Sequence, residues 1–150
     1  MSKHASDSSE QQAAERHLLS ALAIELGVPV APGVVSGLGC APANLDGYSP
    51  DHRILAEAYS RHGKLKPAQL HKVASDALKL IFIERSLGGT GRKFVCFADS
   101  EASASLAGKG WLAQAIRHMG IEVRVYPLPP EVRSAVLAAQ KRQVMVNLPM

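Results

Sequence analysis

Apolar and polar positions follow two different periods along this chain. Near the amino terminus the apolar residues recur every three or four positions, which predicts a helix from a cap at Ser8 or Ser9 to Leu26. Glu15 lies on the apolar face of that helix, so a carboxylate is expected on the side that faces the core. The apolar stripe consists of Leu19, Leu22 and Leu26.

Three short extended segments follow the first helix. Residues 28–35 predict an edge strand, because the two prolines within them cannot donate a ladder hydrogen bond. Residues 40–45 predict a second, weaker strand, and residues 53–61 a third. In the third strand the alternation places Glu57 on the same face as Tyr59. A carboxylate on an apolar face again suggests a role other than simple exposure to solvent.

Helical and extended patterns alternate in the rest of the chain. The expected elements are a helix at 67–86, a strand at 93–98, a helix at 100–119, a strand at 121–128 and a helix at 130–142. The order α, three strands, α, strand, α, strand, α predicts an α/β fold. We expect a mixed central sheet flanked by helices, with an antiparallel meander followed by parallel crossovers. Residues 9–150 would form one domain, preceded by a disordered segment at 1–8.

Composition narrows the class of protein. The chain has 150 residues, a net charge of +4 and two cysteines, Cys40 and Cys96, without the spacing of a zinc site. The polar amino terminus lacks the apolar core of a signal peptide, and no apolar run is long enough for a membrane helix. We therefore expect a soluble, cytoplasmic protein with free thiols and no membrane partner.

Basic residues concentrate in one part of the sequence. From Arg61 to Lys79 the chain has five Lys or Arg residues and only one acid. Helical spacing places one polar stripe on a single face of the predicted second helix. This stripe consists of Gln69, Lys72, Asp76 and Lys79. Its charge is compatible either with an ordinary solvated helix face or with a face that contacts phosphates.

Two carboxylates are candidates for a metal site in the hairpin. Asp46 and Glu57 are separated by ten residues, enough for a turn and a returning strand that brings them together. Hard oxygen ligands of this kind suit Mg²⁺, which keeps several waters and binds through one or two carboxylates. Asp51 is an alternative first acid, but its position near the hairpin tip favours Asp46. Taken singly, Asp46 also suits a strand-end turn and Glu57 an exposed ion pair.

The order of these elements and acids resembles the PD-(D/E)XK nuclease superfamily, which has the restriction-endonuclease-like fold. The resemblance covers about residues 9–128 and implies that Asp46 and Glu57 bind Mg²⁺ or Mn²⁺. It also implies that Glu15 completes the metal shell. The family places a lysine two residues after the second acid, where this chain has Tyr59. Some family members carry the basic residue on the neighbouring helix instead.

The resemblance assigns roles to the basic segment as well. Lys66 or Lys72 would replace the missing motif lysine, and Gln69 would donate a hydrogen bond to a phosphate oxygen. Arg61, Lys64 and Lys79 would add backbone affinity for nucleic acid, with DNA favoured over RNA. A homodimer would suit a small nuclease that cuts two strands.

Three functions are therefore compatible with the sequence. The first is a metal-dependent nucleic-acid phosphodiesterase that uses Asp46 and Glu57. The second is a catalytically inactive, nuclease-like module that binds nucleic acid or protein, because the motif lysine is absent. The third is a nucleotide-binding regulator that uses Asp99, since open α/β sheets bind ligands at the carboxyl ends of their strands.

Overall fold

Helices and strands alternate through residues 9–147, the part of the chain that the computed structural model describes. The expected disordered segment at 1–8 and the alternative cap Ser8 lie outside the described residues. The helices are α1 (Ser9–Leu26), α2 (Pro67–Ser86), α3 (Ser100–Ser103), α4 (Trp111–His118) and α5 (Pro130–Asn147). The strands are β1 (Ala31–Val35), β2 (Ala43–Ser49), β3 (Ile54–Tyr59), β4 (Arg92–Phe97) and β5 (Ile121–Val125). No helix in this described range is long and apolar enough to cross a membrane.

The strands form one mixed sheet in the order β1-β2-β3-β4-β5. The pairs β1–β2 and β2–β3 are antiparallel, and β3–β4 and β4–β5 are parallel. A short 3₁₀ turn at Pro50–His52 suffices for the antiparallel β2–β3 connection, whereas parallel strands need a longer crossover. The long helix α2 supplies that crossover between β3 and β4. The predicted α/β class, with the meander first and the parallel crossovers second, is confirmed.

The sheet separates two hydrophobic layers. Leu55 and Tyr59 of β3 face the core formed with α2 and α4, while Ala56 and Ala58 face the core formed with α1 and α5. The alternation predicted for the third strand therefore holds, because successive residues of a strand point to opposite faces. Glu57 has the same parity as Leu55 and Tyr59, so its side chain lies on the side of the sheet that α2 covers. The polar stripe of α2 includes Lys79, which contacts Glu57.

Several segments differ from their predicted boundaries. The second strand lies later in the chain than the predicted 40–45, at Ala43–Ser49, and the fifth is shorter than 121–128. The single helix expected at 100–119 is instead interrupted between Leu106 and Trp111. Glycines at 108 and 110 lie in the interruption, where they favour non-helical backbone, and α4 restarts with Trp111 77% exposed. The last helix extends beyond the predicted residue 142 to Asn147.

Strand β2 contains an irregularity where Asp46 lies. The register between β1 and β2 shifts by one residue, so Pro32 of β1 lies opposite both Asp46 and Gly47. An extra residue on one strand is a β-bulge, which bends the strand and redirects side chains. The β2–β3 ladder ends at the same level, with the pair Gly47–Ala56. Beyond this point β2 and β3 diverge, and Asp46 and Glu57 are the first residues past the ladder.

The bulge depends on a close approach of α1 to Gly47. A Cβ atom at Gly47 would lie 2.7 Å from Leu19 Cδ2 and 2.8 Å from Val30 Cγ1. We expect Gly47→Ala to lower the free energy of unfolding by about 1–3 kcal/mol, measured by urea denaturation, because overpacking forces the neighbours to move. Gly108→Ala is the matched control, since nothing lies within 4 Å of its added methyl group. An equal loss in both variants would contradict this packing.

Candidate active site

Past the last backbone pair of the β2–β3 ladder, hydrogen bonds to the side chains of Asp46 and Glu57 connect the two strands. The backbone N–H of Ala58 donates to Asp46 Oδ2 at 3.0 Å, and the backbone N–H of Asp46 donates to Glu57 Oε2 at 3.3 Å. Each carboxylate thus accepts a hydrogen bond across the gap. The alternative acid, Asp51, is exposed in the 3₁₀ turn at the hairpin tip. The structure therefore brings Asp46, and not Asp51, against Glu57.

Glu57 is the more buried member of this pair. Its exposed fraction is only 2%, and burial raises the pKa of its carboxyl group to about 8. The neighbouring Asp46 carboxylate contributes to this rise, because its negative charge at close range disfavours ionisation of Glu57, and Lys79 opposes it. Near neutral pH Glu57 therefore favours a bound proton or a cation next to its oxygens.

Lys79 is the lysine of α2 that reaches the acidic pair. Its Nζ atom forms a close ion pair with Glu57 Oε1 and donates to the backbone carbonyl of Asn44 at 2.9 Å. A carboxylate oxygen of Asp76 lies 3.9 Å from the same nitrogen. The contact to Glu57 places a positive charge beside the two carboxylates. The sequence-based expectation gave Lys79 only a role in backbone affinity, and gave the position next to the acids to Lys66 or Lys72.

Tyr59, which occupies the position of the motif lysine, belongs to the core. Its ring stacks on Phe97 with centroids 5.1 Å apart, and its hydroxyl group donates to Asp76 Oδ2 at 2.8 Å. Burial raises the pKa of Tyr59, and the Asp76 charge raises it further. Tyr59 therefore stays a neutral hydrogen-bond donor. It brings no positive charge to the site, so any cation next to Glu57 has to come from another element.

Asp76 connects this tyrosine to two lysines and was not identified from the sequence. Only 8% of the residue is exposed, and its carboxylate lies 3.3 Å from Lys72 Nζ and 3.9 Å from Lys79 Nζ. Burial, the largest single influence, would lower the pKa of Lys72. The charge and hydrogen bond of Asp76, together with the charges of Glu57 and Asp46, outweigh it, so the pKa is raised. The available signal was the spacing of Asp76 on the same stripe as both lysines. Its burial against β3 was not visible in that spacing.

The remaining candidates lie around a neighbouring pocket or on the surface. A pocket of about 210 Å³ past the end of β3 brings together Glu15, Arg61, Gln69 and Lys72. Lys64 and Lys66 are exposed in the segment that leads into α2. The Gln69 side-chain oxygen accepts the backbone N–H of Lys66 at 2.7 Å, so these two residues cap the helix.

The nucleotide-binding alternative depended on Asp99, at the end of β4. Its carboxylate Oδ2 accepts the backbone N–H of Gly63 at 2.7 Å. This hydrogen bond ties the loop after β3 to the end of β4. The contact gives Asp99 a structural role in holding the loop that carries Arg61 and leads to α2.

The carboxylates of the site suit some metal ions and not others. Within residues 9–147, no group of three His, Cys, Asp or Glu side chains is arranged to hold a metal ion. Glu15 lies by the pocket past the end of β3 and so does not form a three-carboxylate set with Asp46 and Glu57. Two adjoining carboxylates still fit Mg²⁺ or Mn²⁺, since Mg²⁺ takes one or two carboxylates and keeps several waters. The donor set does not suit zinc, which prefers histidine and cysteine.

No protein-family model, no curated protein and no solved structure matches this chain. The resemblance to PD-(D/E)XK nucleases therefore depends on the order of the elements and on the two acids. The contacts among Asp46, Glu57 and Lys79 are the structural basis for assigning a function.

Proposed function

We propose that this protein is a metal-dependent nuclease that hydrolyses phosphodiester bonds of nucleic acid at Asp46 and Glu57. One observation carries the proposal: the two carboxylates adjoin where β2 and β3 diverge, with Lys79 of α2 in contact with Glu57. A buried acid beside a second acid is costly unless a proton or cation compensates the charge. A buried acid with a strongly raised pKa, as Glu57 has, is typical of functional sites.

The arrangement of elements also supports a restriction-endonuclease-like fold. Helix α1 precedes a three-stranded antiparallel meander, and α2 then crosses to the parallel strand β4. This order is the one that the resemblance implies. The two acids lie on adjacent strands of the meander, and α2 packs over the face that carries Glu57.

Each residue of the site has a role that follows from its contacts. Asp46 and Glu57 would hold Mg²⁺ or Mn²⁺ through their carboxylate oxygens. When bound, such an ion lowers the pKa of water and stabilises the negative charge that develops on the phosphate. Lys79 fixes the orientation of Glu57 and supplies the positive charge that Tyr59 cannot. Asp76 holds Lys79 and Lys72 on the same side of the site.

The charge of the chain from the end of β3 into the first turns of α2 supports nucleic acid as the substrate. Arg61, Lys64 and Lys72 follow the acids within one continuous stretch of the chain. Cations along a strand-binding path give affinity that decreases with salt and does not read sequence. We propose DNA as the preferred substrate.

Metal-dependent cleavage tests this proposal. Labelled single- and double-stranded DNA and RNA are incubated with Mg²⁺ or Mn²⁺, and the Tm is measured with and without each ion. We expect cleavage and a metal-induced rise in Tm in the wild type, and loss of both in Asp46→Asn and Glu57→Gln. Asp51→Asn makes the same change of charge at an exposed position and should keep both. Cleavage that survives in both site variants would overturn the proposal.

A binding module without catalytic activity is the second candidate function. Burial of Tyr59 favours it, because the motif position contributes a neutral hydroxyl group already donated to Asp76. If the wild type neither cuts nor gains stability from metal ions but binds oligonucleotides, this second function replaces the first. A metal ion that binds the folded but not the unfolded protein must raise the Tm. A Tm that does not change with metal is therefore a clear result.

A further inference from the structure

We propose that the pocket past the end of β3 is a phosphate subsite for the nucleic-acid strand, occupied by a phosphate next to the one that is cut. This inference rests on the proposed function, because it names a further part of the same substrate. The Arg61 pocket, as we call it, is lined by Glu15, Tyr59, Arg61, Gln69 and Lys72, by three further polar residues and by apolar ones. The further polar residues are Gln11, Ser60 and Gln143.

The main evidence for this subsite is the Nε donor of Arg61, which is unpaired within residues 9–147. Its Nε atom is buried, and no acceptor within the described residues lies in hydrogen-bonding range of it. A buried charged donor without a partner is unfavourable, and a ligand oxygen would satisfy it. Guanidinium groups bind phosphate oxygens through two parallel N–H donors, which fixes the ligand in orientation as well as in place.

Two more donors face the same pocket. The side-chain oxygen of Gln69 already accepts the Lys66 backbone N–H, which leaves the side-chain NH₂ group to donate. The Lys72 ammonium group donates one hydrogen bond to Asp76. Since it has three N–H donors, the others can donate to a ligand. The hydroxyl group of Tyr59 is already donated to Asp76. Arginine, amide and ammonium donors that converge on one space are complementary to an oxyanion.

Charge and size restrict the ligand further. Arg61 and Lys72 contribute two positive charges to the lining, and Glu15 contributes one negative charge. A volume of about 210 Å³ is smaller than the roughly 300–1,000 Å³ of pockets for whole small molecules. A phosphate group with a few waters fits this space, since one water takes about 30 Å³. The pocket therefore suits one phosphate of a strand whose sugars and bases remain outside.

The position of the pocket distinguishes its phosphate from the one that is cut. A strand advances about 3.3 Å per residue, so Tyr59 lies about 7 Å beyond Glu57, and Arg61 follows it past the strand end. Tyr59 separates the pocket from the acidic pair, and Lys72 reaches from the pocket side to Asp76. A strand bound at Asp46 and Glu57 would therefore continue into the Arg61 pocket.

Binding without metal tests this subsite. The affinity of a short, fluorescently labelled single-stranded DNA is measured in EDTA for the wild type, Arg61→Gln, Arg61→Lys and Glu15→Gln. We expect Arg61→Gln to weaken binding by about 10- to 100-fold, as is typical for a lost charge-assisted hydrogen bond. Arg61→Lys should recover only part of the loss, because a lysine cannot replace the Nε donor. Glu15→Gln should strengthen binding, because it removes a negative charge from the pocket.

Lys109→Gln is the matched control. It removes one positive charge from an exposed side chain that lies outside the pocket and outside the basic segment after β3, so a loss of at most about threefold is expected. Equal losses in Lys109→Gln and Arg61→Gln would overturn the subsite, since general attraction would then explain both. Inorganic phosphate is tested separately. If Arg61→Gln abolishes stabilisation by inorganic phosphate but leaves DNA affinity unchanged, the pocket binds free phosphate and the proposal is overturned.

The two proposals fail in different experiments. The EDTA measurement requires neither a metal ion nor cleavage, so an Arg61-dependent loss of affinity supports the subsite even if the wild type does not cut. Cleavage that requires Asp46 and Glu57, combined with no effect of Arg61→Gln, would retain the nuclease and overturn the subsite. Circular dichroism and the Tm of each variant show whether it is folded. If Arg61→Gln is not folded, the partial loss of affinity in Arg61→Lys, which also lacks the Nε donor, is the test of the subsite.

Discussion

We expect Lys79→Met to reduce metal-dependent cleavage by about 100- to 1,000-fold, the usual cost of removing one preorganised charge from an active site. Lys79 is the α2 lysine in direct ion-pair contact with Glu57, and it also holds the carbonyl oxygen of Asn44. Its loss removes the only positive charge that the described structure places against the acidic pair. The protein should remain folded, because Glu57 can keep its proton when the ammonium group is absent. Single-turnover cleavage under saturating metal measures the effect.

The other two lysines serve as comparisons. Lys72→Met should mainly weaken substrate binding, because its contact is to Asp76 on the pocket side. Lys66→Met should change the rate by at most about threefold, since its exposed side chain lies at the start of α2. Lys79→Arg keeps the charge and should recover part of the activity. A larger loss in Lys66→Met than in Lys79→Met would show that the positive charge used in catalysis comes from the helix start.

We expect the second large effect in the pH dependence of stability. Glu57 has a pKa of about 8 in the folded protein, compared with 4.5 for the free side chain. Between these values the unfolded chain releases the proton while the folded protein keeps it, so stability decreases as pH rises through this window. The decrease reaches up to about 5 kcal/mol above pH 8, since each pKa unit corresponds to 1.36 kcal/mol. Urea denaturation at a series of pH values measures it in the absence of metal ions.

Glu57→Gln provides the test of this assignment. The amide cannot ionise, so the free energy of unfolding should lose most of its dependence on pH between about 5 and 8. At the alkaline end of that range the variant should be more stable than the wild type, although it lacks the ion pair with Lys79. Asp51→Asn, at an exposed position, should retain the wild-type profile. A wild-type profile that rises with pH through the same window would mean that Glu57 is ionised in the folded protein.

Local patterns were sufficient for most elements of the fold. The helix predicted from Pro67 to Ser86 has those boundaries in the structure, because its apolar spacing, its initial proline and the glycines after it all indicate the same limits. The alternation of β3 also fixed the face of Glu57. The break at Gly108 and Gly110 was missed because residues on both sides of it have helical spacing. The two glycines favour non-helical backbone, but the helical spacing on either side of them hid this signal.

The candidate site required long-range information. The pairing of Asp46 with Glu57, rather than Asp51, depends on the bulge opposite Pro32 and on where the β2–β3 ladder ends. The role of Lys79 depends on the rotation of α2 over the sheet, which brings Lys79 rather than Lys72, the other lysine of α2, to Glu57. Helical spacing gives the relative positions of residues on one helix but not their positions relative to a strand.

The sequence by itself determined the alternation of helices and strands, the mixed sheet and the presence of acids on inward faces. These properties depend on short-range periodicity and on chain connectivity, both of which are local. Only the tertiary structure decided that Tyr59 and Asp76 bury a hydrogen bond, that Lys79 joins the acids and that Arg61 lies by a separate pocket. Those contacts join residues on different elements, and their energies depend on burial that is established when the sheet and α2 pack together.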